Sequence, residues 1–155
     1  MGLGLKDQLL RASSARETAP DHMKSANRAV RVLLIQPPTV GGVRSLLPQV
    51  DDDGGEGIGY KPPLGILYVG SIIDAWSDHE VKVVDAQAEQ LGFRDLVKIA
   101  EEWQPDVVGI SAWTDFWYPA FWTGKLIKEV LPETHLTFGG PHLGIYPKET
   151  LDIEF

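Results

Sequence analysis

Asp106–Trp117 reads DVVGISAWTDFW, and the fold turns on how that stretch divides. Val107, Val108 and Ile110 around Gly109 make a short β-branched run of the kind that fills a strand buried on both faces. The run breaks at Ser111. Trp113, Thr114, Asp115, Phe116 and Trp117 then follow, where a connecting loop is ordinarily polar. Two readings of these aromatics stand side by side. Either they floor a site for a large flat ligand, or they begin an amphipathic helix that packs on the sheet.

Three similar runs flank this one. Val30–Gln36 (VRVLLIQ) is halted by Pro37-Pro38, which cannot continue a ladder. Glu80–Asp85 (EVKVVD) is the second strand, and His135–Phe138 (HLTF), stopped by Gly139-Gly140-Pro141, is the fourth. Helical spacing fills the gaps between them. Pro62-Pro63 opens a helix through Trp76 whose apolar residues (Leu64, Ile66, Leu67, Val69, Ile72, Ile73) lie nearly all round, so it is expected to be heavily buried. Phe93, Leu96, Val97, Ala100 and Trp103 form one amphipathic stripe. Phe116, Ala120, Phe121, Gly124, Ile127 and Leu131 form another, with Pro119 tolerable in its first turn. Tyr146–Leu151 adds a helical turn or two.

Strand and helix alternating at this spacing imply right-handed βαβ units. The fold class is therefore α/β, a flavodoxin-like (Rossmann-type) parallel sheet with helices on both faces and strand order 2-1-3-4. That class normally has a fifth strand, which is missing before Phe155, so the chain reads as a fragment of a longer enzyme. Residues 1–29 form a flexible N-terminal lead-in, in which Leu5–Arg11 as a docking helix is the sharper alternative, and 30–155 form the domain.

Composition narrows the function. At 155 residues, with 43% hydrophobic and 23% charged, the chain has the size and balance of one globular domain. It has no cysteine, which excludes disulfides, thiolate zinc, iron–sulfur ligation and a cysteine nucleophile within this chain. No apolar run reaches membrane-spanning length and the N-terminus has no signal-peptide core, so neither a membrane partner nor export is expected and the default location is cytoplasmic. The net charge of −8 is uneven: residues 1–30 hold five basic and three acidic side chains, the remainder nine basic and nineteen acidic. An acidic body argues against a nucleic-acid partner.

In open parallel sheets, ligands bind beyond the carboxyl ends of the strands where strand order reverses. Four segments gather there: 36–61, 85–91, 111–117 and 139–146. The first carries some 20 residues without a pattern of its own, including GGEGIG at Gly54–Gly59. Gly139-Gly140 directly after a strand lets backbone approach a ligand closely, or simply makes a tight turn. A dinucleotide fingerprint fails because GGEGIG lacks the spacing and comes too late, and a P-loop fails for want of Gly-Lys-Ser/Thr. A phospho-acceptor receiver fails because Gln36-Pro37 and Ser111 stand where acidic residues are needed. The four histidines (His22, His79, His135, His142) lack metal-ligand spacing, and only His142 lies in a binding loop. Asp51–Asp53 is a solvated acidic loop before it is a cation site. No serine sits in a nucleophile-elbow pattern.

Taken in order, VLLIQPP, PPLGILYVGSIID, HEVKVVDA, PDVVGIS and FGGPH with a following YP resemble the N-terminal cobalamin-binding domain of cobalamin-dependent radical S-adenosylmethionine enzymes. The resemblance runs from about Arg31 to Thr150. It implies a corrinoid held over the carboxyl edge of the sheet, its nucleotide tail running down between sheet and loops. The wider cobalamin-binding fold uses Ser-x-Leu after the third strand and Gly-Gly after the fourth. Here Ser111-Ala112-Trp113 keeps the serine but not the leucine, and Gly139-Gly140 matches. The wider fold also carries Asp-x-His-x-x-Gly after strand one; this chain has Gln36-Pro37-Pro38-Thr39-Val40-Gly41, without the cobalt-ligating histidine. The resemblance therefore implies cobalamin bound base-off, with Trp113, Trp117 or Tyr60 as apolar cover for the lower corrin face. By the same resemblance the cofactor contacts are Gln36, Pro37, Pro38, Thr39, Tyr60, Leu64, Gly65, Ser111, Trp113, Thr114, Gly139, Gly140, Pro141 and His142. S-adenosylmethionine and a [4Fe–4S] cluster held by Cys-x3-Cys-x2-Cys would belong to a radical catalytic domain, in cis or in trans, because this chain has no cysteine. A methyltransferase of unactivated carbon is the expected parent, with a ring-rearranging member behind it. A flavodoxin-like sensor or protein-interaction domain is the rival from another class. A flavin carrier is weaker, since Pro37-Pro38 does not suit a phosphate loop.

Overall fold

A computed structural model describes residues 28–38 and 62–153. The lead-in 1–27 and the connection 39–61, with Thr39, Asp51–Asp53 and Tyr60, lie outside the described residues. Four strands form one all-parallel sheet: β1 (Arg31–Gln36), β2 (Glu80–Asp85), β3 (Val107–Ser111) and β4 (His135–Gly139), in the order β2-β1-β3-β4. The expected strand order is the observed one. The crossovers are α1 (Leu64–Trp76), α2 (Phe93–Trp103) and α3 (Trp117–Val130), the last entered through a 3-10 turn at Thr114–Phe116. Two short helices follow β4: α4 (Pro141–Ile145) and α5 (Pro147–Leu151). α4 occupies a stretch expected to be loop.

Side-chain alternation along each strand sorts the two faces. Leu33 and Ile35 of β1 and Val108 and Ile110 of β3 are at most 1% exposed and pack with Leu96, Ala100, Ala120 and Ile127 of α2 and α3. Leu34 with Val81 and Val83 faces α1 on the other side. Glycines set the close approaches. A Cβ at Gly70 of α1 would lie 2.9 Å from Val83 Cγ2, and one at Gly124 of α3 would lie 2.8 Å from Phe138 Cζ and 2.9 Å from Leu136 Cδ2.

The amino ends of the strands are tied by Asp106, whose carboxylate accepts the Arg31 N–H at 2.8 Å and pairs with the Arg28 guanidinium. Thr134 Oγ1, buried, donates to the Pro105 carbonyl at 2.8 Å. These bonds set where β1, β3 and β4 begin, and so where they end.

The burial of α1 differs from expectation. Only Gly70 is buried, while Leu64 is 74% and Tyr68 70% exposed. The helix spans β1 and β2 and leaves the same face of β4 open, where His135 and Thr137 are exposed among the described residues. An apolar helix is buried all round only when something covers its outer side, and here one side meets the sheet.

Overpacking the tight crossing on α3 should be costly. Gly124→Val is expected to lower unfolding free energy by about 1–3 kcal/mol, read from urea denaturation with an unchanged slope; wild-type stability in that variant would contradict the packing described.

Candidate functional site

At the carboxyl edge the register lines up one row across the whole sheet. Asp85 pairs with Gln36, and Ser111 pairs with Gly139. Ile35 pairs with Ile110, so the next step brings Gln36 beside Ser111. All four lie on the face that α1 covers only in part. The row spans the reversal of strand order between β1 and β3, where a crevice opens in this class of sheet.

Each position has a distinct character. Gln36 is 7% exposed, and its Oε1 is buried with no hydrogen-bond partner among the described residues. Pro37 and Pro38 are buried behind it. The Gln36 carbonyl accepts the Ala86 N–H at 3.1 Å, and Gln87 Nε2 donates to the Pro37 carbonyl at 3.2 Å. Asp85 turns away from the row: its Oδ1 accepts the N–H groups of Gln87 and Ala88 at 3.1 and 3.2 Å. Ser111 is half-buried, and nothing lies within 4 Å of a Cβ built on Gly139. Leu64 and Gly65, at the start of α1, are exposed on the same edge, and Gly65 likewise faces open space.

The β3 and β4 loops are latched through Ala112. Its N–H donates to the Gly139 carbonyl at 2.6 Å, and its carbonyl accepts the His142 N–H at 3.2 Å. Gly140 crosses this latch at φ +116°, where a Cβ would stand 2.6 Å from the Ala112 oxygen. Both the dihedral and the space require glycine.

The aromatics now separate. Trp113 is 53% exposed at the edge. Trp117 belongs to the core: it meets Phe138 at 5.6 Å and Phe121 at 6.4 Å, and stacks on His142 at 4.4 Å and 15°. The packing reading of DVVGISAWTDFW thus holds for Trp117, while Trp113 stays exposed at the strand edge. His142 is buried, flanked also by Tyr146 at 5.2 Å, with Nδ1 3.4 Å from Thr114 Oγ1. Its ring faces protein, which makes it a brace between the two loops. Thr114 and Pro141 are exposed beside it. Among the described residues no group of three His, Asp or Glu side chains is placed to hold a metal ion, and no helix is long and apolar enough to cross a membrane.

A family model described as the B12 binding domain matches residues 57–155. The chain belongs to that family. The match supports the resemblance of this chain to cobalamin-binding domains. Relatives agree in kind. An uncharacterized methyltransferase of Pyrococcus horikoshii is 33% identical over 80% of this chain and 24% of its own length. Cytidylyl-2-hydroxyethylphosphonate methyltransferase of Streptomyces wedmorensis is 32% identical over 58% of this chain and 20% of its own. The anaerobic magnesium-protoporphyrin IX monomethyl ester cyclase of Cereibacter sphaeroides is 27% identical over 68% and 17%. The B12-binding domain thus spans less than a quarter of each of these relatives. No solved structure matches it significantly.

Two contributors escaped the sequence reading. Ala112 acts only through its backbone, so its side chain carries no signal. Gln87 lies in a polar turn, and nothing in its neighbours announces that its amide ties that turn to Pro37. Substitution at the latch should be severe: Gly140→Ala is expected to cost about 2 kcal/mol or more, visible as a lower thermal midpoint, because it combines a strained dihedral with a backbone clash. Gly139→Ala should stay within about 0.5 kcal/mol of wild type.

Proposed function

We propose that residues 30–155 form the cofactor module of a cobalamin-dependent radical S-adenosylmethionine enzyme, a methyltransferase, and that the module binds cobalamin base-off. The observation that carries this reading is the open row at the strand-order reversal, in a chain of the B12-binding family: a buried unpartnered amide oxygen at Gln36, a hydroxyl at Ser111 and clear space before Gly139. Such a row suits a ligand with many polar side arms and a tail that must enter the sheet edge. When bound, cobalamin supplies a cobalt centre able to accept and hand on a methyl group.

The chain's own residues hold and shield it. Ser111 and Gly139 line the path of the nucleotide tail, with Gly140 keeping the two loops together. Gln36, at the end of β1, with Pro37 and Pro38 after it, would border the corrin, and Leu64 and Gly65 would approach it from the start of α1; Thr39 is proposed from the sequence alone. Pro141 and Thr114 border the far side. Trp113, exposed at the edge, would cover the lower corrin face with an apolar ring that excludes water; Tyr60 is proposed as a second cover from the sequence alone. His142 braces Thr114 and Trp117. No described imidazole presents itself to cobalt from below: His79 and His135 lie at the amino ends of β2 and β4, and the His142 ring is spent on Trp117. A tail drawn into the sheet edge would hold its own base away from cobalt, and without such an imidazole the lower face would carry no histidine ligand.

The [4Fe–4S] cluster and S-adenosylmethionine are assigned to a catalytic domain in cis or in trans, since the module has no cysteine to ligate iron. The methyltransferase assignment draws on two of the relatives named above. An interaction role has one specific observation in its favour: a wholly apolar depression of about 360 Å³ lined by Phe93, Tyr118, Trp122 and Leu126 on the outer side of α2 and α3. A cofactor module and its catalytic domain need such a surface as well.

Incubation with hydroxocobalamin followed by desalting should leave a coloured protein whose visible spectrum has the base-off shape. A colourless protein sinks the reading. Gly139→Ala, neutral to the fold, should retain less corrinoid because its methyl enters the tail path. Trp113→Ala should keep stability within about 0.5 kcal/mol of wild type yet shift the bound spectrum as water reaches the lower face.

A further inference from the structure

We propose that Gln36 is a corrin-ring contact, its side-chain oxygen accepting a hydrogen bond from a ring amide N–H of the ligand. This rests on the cobalamin reading and deepens it at the same site.

Gln36 closes β1 at the strand-order reversal. Its backbone carbonyl is used by the Ala86 N–H, and its own strand pairs with β2 and β3, so the deficit is confined to the side chain. The residue is 7% exposed and Oε1 has no donor. A buried amide oxygen without a partner is costly, and folded proteins retain few of them. Neighbours in the row do not relieve it. Asp85 is an acceptor already engaged by the turn 87–88, Gly139 has no side chain, and the Gln87 amide donates elsewhere, to the Pro37 carbonyl. What remains is a buried acceptor at the strand-order reversal.

The complement of a lone neutral acceptor is a neutral N–H donor. The corrin periphery carries primary amides, which supply such donors. The ligand thus completes a bond that the apo protein leaves unmade. This has an unusual consequence: removing the amide should help the empty fold and harm binding. A glutamine kept for structure would do the reverse.

Hydroxocobalamin and dicyanocobinamide, which lacks the nucleotide tail but keeps the ring amides, should each be titrated by visible absorbance into wild type and Gln36→Met. Thermal unfolding of both apo proteins completes the experiment. The expected result is an apo midpoint for Gln36→Met at or above wild type, with affinity for both corrinoids lowered about tenfold, the loss for one buried acceptor. Loss confined to hydroxocobalamin would place the donor on the ribose hydroxyl of the tail and overturn the ring-amide assignment. Unchanged affinity for both, or a lower apo midpoint, would overturn the contact. Wild type that binds neither corrinoid removes the cobalamin reading and this inference with it, whereas binding by wild type with no change in the variant removes this inference alone.

Discussion

A parallel sheet obliges every connection to return to the same end before the next strand can start. That constraint shapes the protein more than any single contact. Leu33, Ile35, Val108 and Ile110 are hidden almost completely because α2 and α3 lie across their face. The helices lie there because each strand must be carried back to the amino edge. The same geometry delivers four strand ends to one edge and reverses the strand order between β1 and β3, which is where a crevice opens in this class of sheet.

The two halves of that edge are built differently. On the β3–β4 side, Ala112, Gly140 and His142 interlock through main-chain bonds, and Trp117 stacks on the imidazole from the core. This half is held from below and has little freedom to move. On the β1 side the main chain is satisfied by the turn after β2, but the Gln36 side chain ends in an unmet acceptor. One half supplies rigidity and the other supplies unmet bonding capacity. A ligand spanning both gains orientation from the first and a bond from the second.

The outer surfaces carry a related lesson. α1 is apolar round much of its circumference, yet it buries only Gly70 against the sheet. The depression at Phe93, Tyr118, Trp122 and Leu126 is apolar on the opposite side of the molecule. Apolar content told that these helices pack, but not which of their sides find a partner. The answer depends on where neighbouring elements lie, a three-dimensional matter that periodicity does not encode.

Much was nevertheless legible in the residues themselves. Short apolar runs, three of them ended by Pro37-Pro38, Ser111 and Gly139-Gly140, determined four strands, and the helical stripes between them determined parallel crossovers and the order 2-1-3-4. Motif order determined the B12-binding resemblance. Only the tertiary structure decided what each edge residue does. It divided Trp113 from Trp117 because one faces solvent and the other meets Phe138. It turned His142 into a brace, gave Ala112 a role through its backbone alone, and left Gln36 Oε1 unpartnered. Strand identity follows from local chemistry and chain punctuation, which a sequence records directly. Exposure, stacking and an unmet hydrogen bond depend on what other segments bring alongside, and they exist only once the chain has closed on itself.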